Sequence, residues 1–551
     1  MRQATIPLLL LTTQLALAQM TMPMPGDPDK RPVPLVSGLG NSHHTIRTSN
    51  PEAQKFFDQG MDYLFAFNHD EARRSFEKAS LLDPKAAMPL WGVALAVGPN
   101  YNDIDIGHTR EQQAVTAITK AKQLATTGPA IEVDYIEALA DRYAQDSNHD
   151  LHVQGERYSK AMAALVAKHP DDLDATTLYA ESLMDLHPWR LWTAEGKPVE
   201  GTTQIVDALQ SVLLRDPNHV GANHFLIHAV EASSDPSLAL PSAKRLETLA
   251  PTAGHLVHMP AHIYQRVGDF NNSAIANERA VDADRAYFRS QNIEGLPSMY
   301  DGMYYTHNMH FLASACSMEG NFACAQKAAN QLFDHVAPQV STIKQMEWYL
   351  PTQPWVLVRF KQWQTILNAP APSKDLPIVT AMVHYARGSA YAATHKFEQA
   401  SAERKALADF AQNIPPALAT DFNNPAKTTF ELTLNVLDAR IAEAKGDKAQ
   451  ALALWQKAVA TLDTFSYNEP ADWYYPVRES LGGAQLRNGQ PKEAEATFRH
   501  DLQQNPGNGR SLFGLWQSLL MQRRDADAAL VKTQFDAAWK HADITLHIDD
   551  L

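Results

Sequence analysis

Along this chain a small residue on one helix, an aromatic on the next and a closing proline recur at intervals of about 34 residues. Phe56, Gly60 and Tyr63 share one helical face, and a turn at Phe67-Asn68-His69 follows. Ala72, Phe76 and Ala79 then mark a second helix, closed by Asp83-Pro84. Ala494, Phe498 and Pro506 repeat the spacing of Ala72, Phe76 and Pro84. Gly388, Tyr391 and Ala400 form another unit, and Ala451, Trp455 and Ala458 another; Pro217 and Pro251 lie one period apart. The small residues let paired helices approach, and the aromatics fill the space beside them. At 551 residues the chain is too long for one compact core, so a repeat array is the natural solution.

This phrasing resembles the tetratricopeptide repeat, and the resemblance covers nearly all of the chain beyond residue 50. It implies an all-α fold, a right-handed superhelical solenoid of antiparallel helix hairpins, with about twelve hairpins, several degenerate. The block His255 to Val267 (His-Leu-Val-His-Met-Pro-Ala-His-Ile-Tyr-Gln-Arg-Val) also resembles a group of exported bacterial repeat proteins with no settled activity. The expected division is a signal peptide over 1–18, a disordered Met/Pro-rich linker over 19–50, N-terminal repeats over 51–217, central His-rich repeats over 218–345 and C-terminal repeats over 346–551.

The amino terminus reads as an export signal. Arg2 supplies the positive end, Ile6 to Leu17 the short apolar run, and Ala16-Leu17-Ala18 a small-x-small cleavage site, with the cut after Ala18. A periplasmic or secreted protein is expected, with no membrane span, since no later stretch reaches about 20 apolar residues. In the 19–50 segment nothing is expected to bury a face. The two cysteines, Cys316 and Cys324, flank the turn Gly320-Asn321-Phe322. A disulfide and a pair of small buried thiols are both open. The formal net charge of −14 argues against a nucleic-acid or anionic-membrane partner.

Chemistry concentrates in the middle repeats. Of 22 histidines, eight fall within residues 219–310. His224 and His228 are spaced i, i+4, with Glu231 one turn on, and His258 and His262 repeat that pair one full period later. His255 and His258 recur as His307 and His310. Residues four apart on a helix point the same way, with Cβ atoms about 5–6 Å apart, so two imidazoles can grip one ion. Three successive repeats should thus aim His224, His228, His255, His258, His262, His307 and His310 at one patch of the concave groove, with His219 at its rim. Two inserts, Asp185 to Gly201 and Ala286 to Tyr305, flank this region as candidate covers, and the polar loop Gly98 to Asp103 is a further contributor.

The metal-ligand set expected is therefore His219, His224, His228, His255, His258, His262, His307 and His310, enough for one or two ions. Imidazole suits zinc, copper, iron and nickel. Without clustered cysteines a thiolate zinc site is excluded. Carboxylates are few, Glu231 and Glu181, which leans away from a carboxylate-bridged di-iron centre. Copper is favoured, with zinc and iron behind it; Met184, Met259 and Met309 and the Met20, Met22, Met24 tail give weak support. Second-layer candidates are Tyr264, Tyr304, Tyr305 and Asn308, although Tyr264 fits the packing slot of Tyr63. The expected chemistry is metal-dependent oxidation-reduction, followed by hydrolysis with Glu231 or Glu181 activating water. The rival is a non-enzymatic scaffold binding a small molecule, peptide or protein in the groove. Gly-x-Gly-x-x-Gly and Walker loops, a Gly-x-Ser-x-Gly elbow and His-Glu-x-x-His are absent.

Overall fold

The computed structural model describes residues 31–143, 150–193, 196–295, 298–418, 420–421 and 424–551. The expected signal peptide, its cleavage site and the Met20–Met24 tail lie outside these residues.

The fold is all-α. Helices follow one another as antiparallel hairpins, from Pro51–Phe65 with His69–Leu82 to Gly509–Met521 with Asp525–Ala538. One two-residue strand pair, Thr420–Asp421 with Asn424–Pro425, is the only sheet among the described residues. The repeat phrase explains the packing. Phe76 is fully buried and sits between Gly60 and Gly92, sixteen residues to either side; a Cβ added at these glycines would stand 2.4 and 2.5 Å from its ring. Phe498 stands in the same relation to Gly482 and Gly514, at 2.4 and 2.1 Å. Each such ring contributes about 1.5–3 kcal/mol by leaving water, which only helix approach over a missing side chain allows. Asn50, Asn68, Asp172, Asn321, Asp447 and Asn508 cap helix starts by accepting backbone N–H bonds.

The expected linker over 19–50 is corrected in its second part. Residues 31–50 form a strap on the first helix, with Leu39 and Ile46 buried at 3% and 5% exposure. Few apolar groups hold it; instead, side chains of one helical stripe read its backbone. Gln54 Oε1 accepts from Ile46 N at 3.0 Å, Asp58 Oδ1 from His44 N at 3.2 Å and Asp62 Oδ1 from Ser42 N at 3.0 Å. Further along, Thr252 N donates to Gly38 O at 3.1 Å.

The array is wound back on itself. One apolar cluster runs from Leu39 to Val379, others cover Trp348 to Ala484 and Leu486 to Leu551. Asp543, near the carboxyl end, accepts from Phe322 N at 2.7 Å and Ala323 N at 2.8 Å, capping the central helix Phe322–Val336. Cys316 and Cys324 are joined as a disulfide across the turn before it, which settles the alternative left open by the sequence. No helix among the described residues is long and apolar enough to cross a membrane.

Candidate metal centre

Four short elements deliver the histidines. His224 and His228 lie on helix Val220–Val230, whose end is capped by Glu231. His255 and His258 lie on the five-residue helix Gly254–His258, and His262 on Pro260–Val267. The block His255 to Val267 is not one continuous helix. Pro260, lacking an N–H, splits it at Met259. His307 opens helix Thr306–Glu319, directly after a π-helical turn over Tyr300–Tyr305, where the insert is absorbed.

Two triads result. His224, His228 and His255 each bring a ring nitrogen within 4.8 Å of the other two, and so do His258, His262 and His307. His224 Nε2 lies 3.0 Å from His255 Nε2, and His258 Nε2 lies 2.7 Å from His262 Nε2. The triads adjoin: ring centroids of His228 and His262 are 5.5 Å apart, those of His255 and His258 6.0 Å.

Three of the opposite ring nitrogens have hydrogen-bond acceptors. His224 Nδ1 donates to Phe65 O at 2.6 Å, His228 Nδ1 to Glu231 Oε1 at 2.9 Å and His258 Nδ1 to Asn277 Oδ1 at 2.6 Å. A neutral imidazole has one N–H, so an acceptor at Nδ1 leaves the Nε2 lone pair for a ligand. His262 Nδ1 faces two carboxylates, Glu231 Oε2 at 2.5 Å and Glu469. His228 Nε2 and His255 Nδ1 are buried without a hydrogen-bond partner, an arrangement that protein alone leaves unsatisfied. Burial pushes His224, His255, His258 and His307 well below the usual imidazole range, helped by neighbouring rings in each case, and lowers His228. Burial would lower His262 too, but Glu231 and Glu469 outweigh it and raise it to about 10. Glu469 is pushed up to about 7 by burial against the pull of His262.

Aromatic side chains seal the first triad. Phe67 stacks on His255 at 5.4 Å and on His228 at 5.8 Å; Tyr304 lies 4.7 Å from His255. Both inserts contribute, through Trp189 (5.9 Å from His228) and Tyr304, as does Tyr101 of the Gly98–Asp103 loop (5.7 Å). Phe67 and Trp189 hold φ of 54° and 61°, left-handed conformations that cost a non-glycine residue about 1 kcal/mol or more. Phe311 covers the second triad, 5.1–5.5 Å from all three rings.

Several expectations are corrected. The rings do not line an open groove: His224 and His258 are 0% exposed, His262 1%. The rolled array sets Phe65 and Phe67 of the first hairpin over them. His219 is away from both triads; its Nδ1 accepts from Ala222 N at 3.1 Å as a helix cap, and its Nε2 donates to Asp174 at 3.1 Å. His310, one turn past His307, faces Tyr349 at 5.4 Å and joins neither triad. Glu181 is buried in a charge knot with Asp185 and Arg142, not beside the imidazoles. Glu231 touches the outward nitrogens, which makes it an orienting group and not a base. Of the remaining second-layer candidates, Tyr264 bonds Glu247, Tyr305 bonds Arg285 and Asn308 bonds Asp284, while Tyr304 alone reaches a ligand ring. Met184, Met259 and Met309 are core residues. Asn277 and Glu469 were missed: Asn277 meets His258 from the next helix, 19 residues on, and Glu469 meets His262 from the carboxyl-terminal repeats, with no spacing to mark either.

No family model matches the chain, and no curated protein does. Among solved structures, a human IFIT1 dimer with m7Gppp-AAAA aligns over 91% of this chain and 92% of its own, at 12% identity and a TM-score of 0.33. A human IFIT1 dimer with PPP-AAAA aligns over 88% and 89%, at 12% identity and 0.32.

Proposed function

We propose that this protein holds two metal ions side by side, each on three imidazoles, and that it is a copper-dependent oxidoreductase acting outside the cytoplasm. One observation carries the reading: two adjoining sets of three histidines, five of the six buried and His307 half-buried, with the outward nitrogens of His224, His228, His258 and His262 facing Phe65 O, Glu231, Asn277 and Glu469. Imidazole-only donor sets without thiolate suit copper, and a pair of such ions supplies two one-electron redox centres. The carboxylates stand behind the rings, which argues against a carboxylate-bridged iron pair. His224, His228 and His255 would hold one ion, His258, His262 and His307 the other. Phe67, Tyr304, Trp189 and Phe311 exclude bulk water. The apolar run and cleavage motif at the start of the sequence support export, and the Cys316–Cys324 disulfide suits an oxidising compartment. Burial of the rings disfavours their use as lining for a peptide.

Elemental analysis of the purified chain tests this. About two copper ions per chain are expected, falling to about one in a His258→Ala, His262→Ala double variant with unchanged helicity. Two zinc ions and no copper would overturn the redox assignment, and no stoichiometric transition metal would overturn the centre itself.

A further inference from the structure

A second cavity, of about 520 Å³, lies in the carboxyl-terminal repeats between the helix Thr352–Arg359, the helix Ala426–Ala444 and the last residues of the chain. Five cations line it: Arg359, Lys361, Arg440, Arg487 and Arg510. Three are matched by acids. Arg359 pairs with Glu479 at 3.1 Å, Lys361 with Asp550 at 3.0 Å and Arg487 with Glu443 at 2.7 Å. Arg440 and Arg510 have no Asp or Glu side chain within ion-pair distance among the described residues. Arg510 is 4% exposed, and its Nε, like that of Arg440, is buried without a partner. An unpaired buried guanidinium is costly unless something else neutralises it. Burial and neighbouring Arg359 depress Arg510 to about 10, and burial with Arg440 and Arg510 depresses Lys361 despite Asp550; burial would lower Arg440 too, but the hydroxyls of Tyr385, Tyr475 and Tyr474 outweigh it and raise it.

Trp363, Trp455, Tyr474 and Tyr475 give the wall its flat rings, beside Ser389, His395, Ser480 and Asp549. The rim already grips main-chain oxygens of residues 548–551. Arg487 Nη1 donates to Ile548 O at 2.8 Å and Leu551 O at 3.3 Å, and Arg510 Nη1 to Asp550 O at 2.7 Å.

We propose that this cavity binds a small carboxylate with a flat apolar body, its carboxylate on Arg440 and Arg510 and its body against the Trp and Tyr rings, with residues 548–551 as the cover. Guanidinium forks match carboxylates in two-point contacts, and aromatic walls favour a planar body over a bare anion. The site shares none of the histidine ligands and does not depend on the metal reading.

Titration of the full chain with benzoate and, separately, inorganic phosphate, followed by calorimetry and thermal unfolding, tests it. Benzoate should bind at one per chain, more tightly than phosphate, and raise the unfolding midpoint. Arg440→Gln should weaken benzoate binding about tenfold or more while the ligand-free variant keeps the helicity of the parent chain, since glutamine can still donate to the tyrosine hydroxyls. Arg440→Lys, which keeps the charge but not the fork, should fall between. No benzoate binding, phosphate binding as tight as benzoate, unchanged affinity in Arg440→Gln, or an Arg440→Gln chain that fails to fold would each overturn the proposal.

Discussion

Each triad is set by which of two nitrogens a ring turns inward, and for His224, His228 and His258 that choice is made by a single acceptor behind the ring. For His258 the acceptor is Asn277 Oδ1, 2.6 Å away, itself fixed by donation from Asn277 Nδ2 to Ser273 O at 2.8 Å. Asn277→Ala removes that acceptor and frees the ring to turn or change tautomer. The ion on His258, His262 and His307 should then bind about 10–100-fold more weakly, while the ion on the other triad is kept. Chelator competition measures this, and Asn277→Asp, which retains an acceptor, should restore much of the affinity. Equal loss of both ions, or of neither, would contradict the assigned role. The i, i+4 spacing of His224 with His228 is legible in sequence because one helix enforces it. Asn277 is not, because its contact is made between helices, and one asparagine among Asn271, Asn272 and Asn277 looks like any other polar site.

Among the elements, the strap over residues 31–50 shows why a polar stripe can mislead. Gln54, Asp58 and Asp62 sit one turn apart on helix Pro51–Phe65, a pattern that reads as a solvated face. Their partners are backbone N–H groups of a segment with too few apolar residues to announce itself. The strap is fixed further by His44, whose Nδ1 donates to Asp174 at 2.8 Å, the same carboxylate that His219 engages. This contact is pH-dependent, and its sign follows from three groups. Burial would lower His44, but its bond to and charge from Asp174, with Asp172 and Asp58, raise it; its contribution is complete below about 6.5 and lost as pH climbs through the folded value. Burial raises Asp62 to about 6, so above that pH the folded strap must cover a carboxylate that prefers water. Asp174, buried but held down by His219 and His44, acts oppositely, and its contribution is lost only as pH falls below the normal aspartate range. Asp62 costs progressively more from about pH 4 to 6, so the strap should be tightest near pH 4 and loosen as pH rises through 6 and beyond. Hydrogen exchange at Ser42, His44 and Ile46, corrected for intrinsic rates, should show greater protection at pH 5.5 than at pH 8.5. His44→Gln should flatten the difference; an unchanged slope in that variant would assign the effect elsewhere.

For the whole molecule, the repeat phrase predicts hairpins stacking on their neighbours, and Phe76 between Gly60 and Gly92 is that prediction realised. It contains nothing about repeats that meet after the array has wound round, which is where Glu469 reaches His262 and Asp543 caps Phe322–Val336. Such contacts depend on the summed small rotations of many hairpins, and no local spacing encodes a sum. Another of them joins two turns at Gly268 and Gly507. Gly268 has φ +83°, and a Cβ on it would lie 2.0 Å from Pro506 O, a backbone atom with no side chain to swing aside. Gly268→Val must both hold a left-handed conformation and push the carboxyl-terminal repeats off the central ones, at a combined cost of about 2–4 kcal/mol. Chemical denaturation should show a lower midpoint by that amount. The displacement has a chemical signature as well, since Glu469 travels with the repeats that move. A chelator should strip the ion on His258, His262 and His307 faster than in the parent chain, whereas the ion behind Phe67, whose ring partners all precede the carboxyl-terminal repeats, should leave at its original rate. A variant that lost stability while both ions left unchanged would show that the winding supports the fold but not the centre.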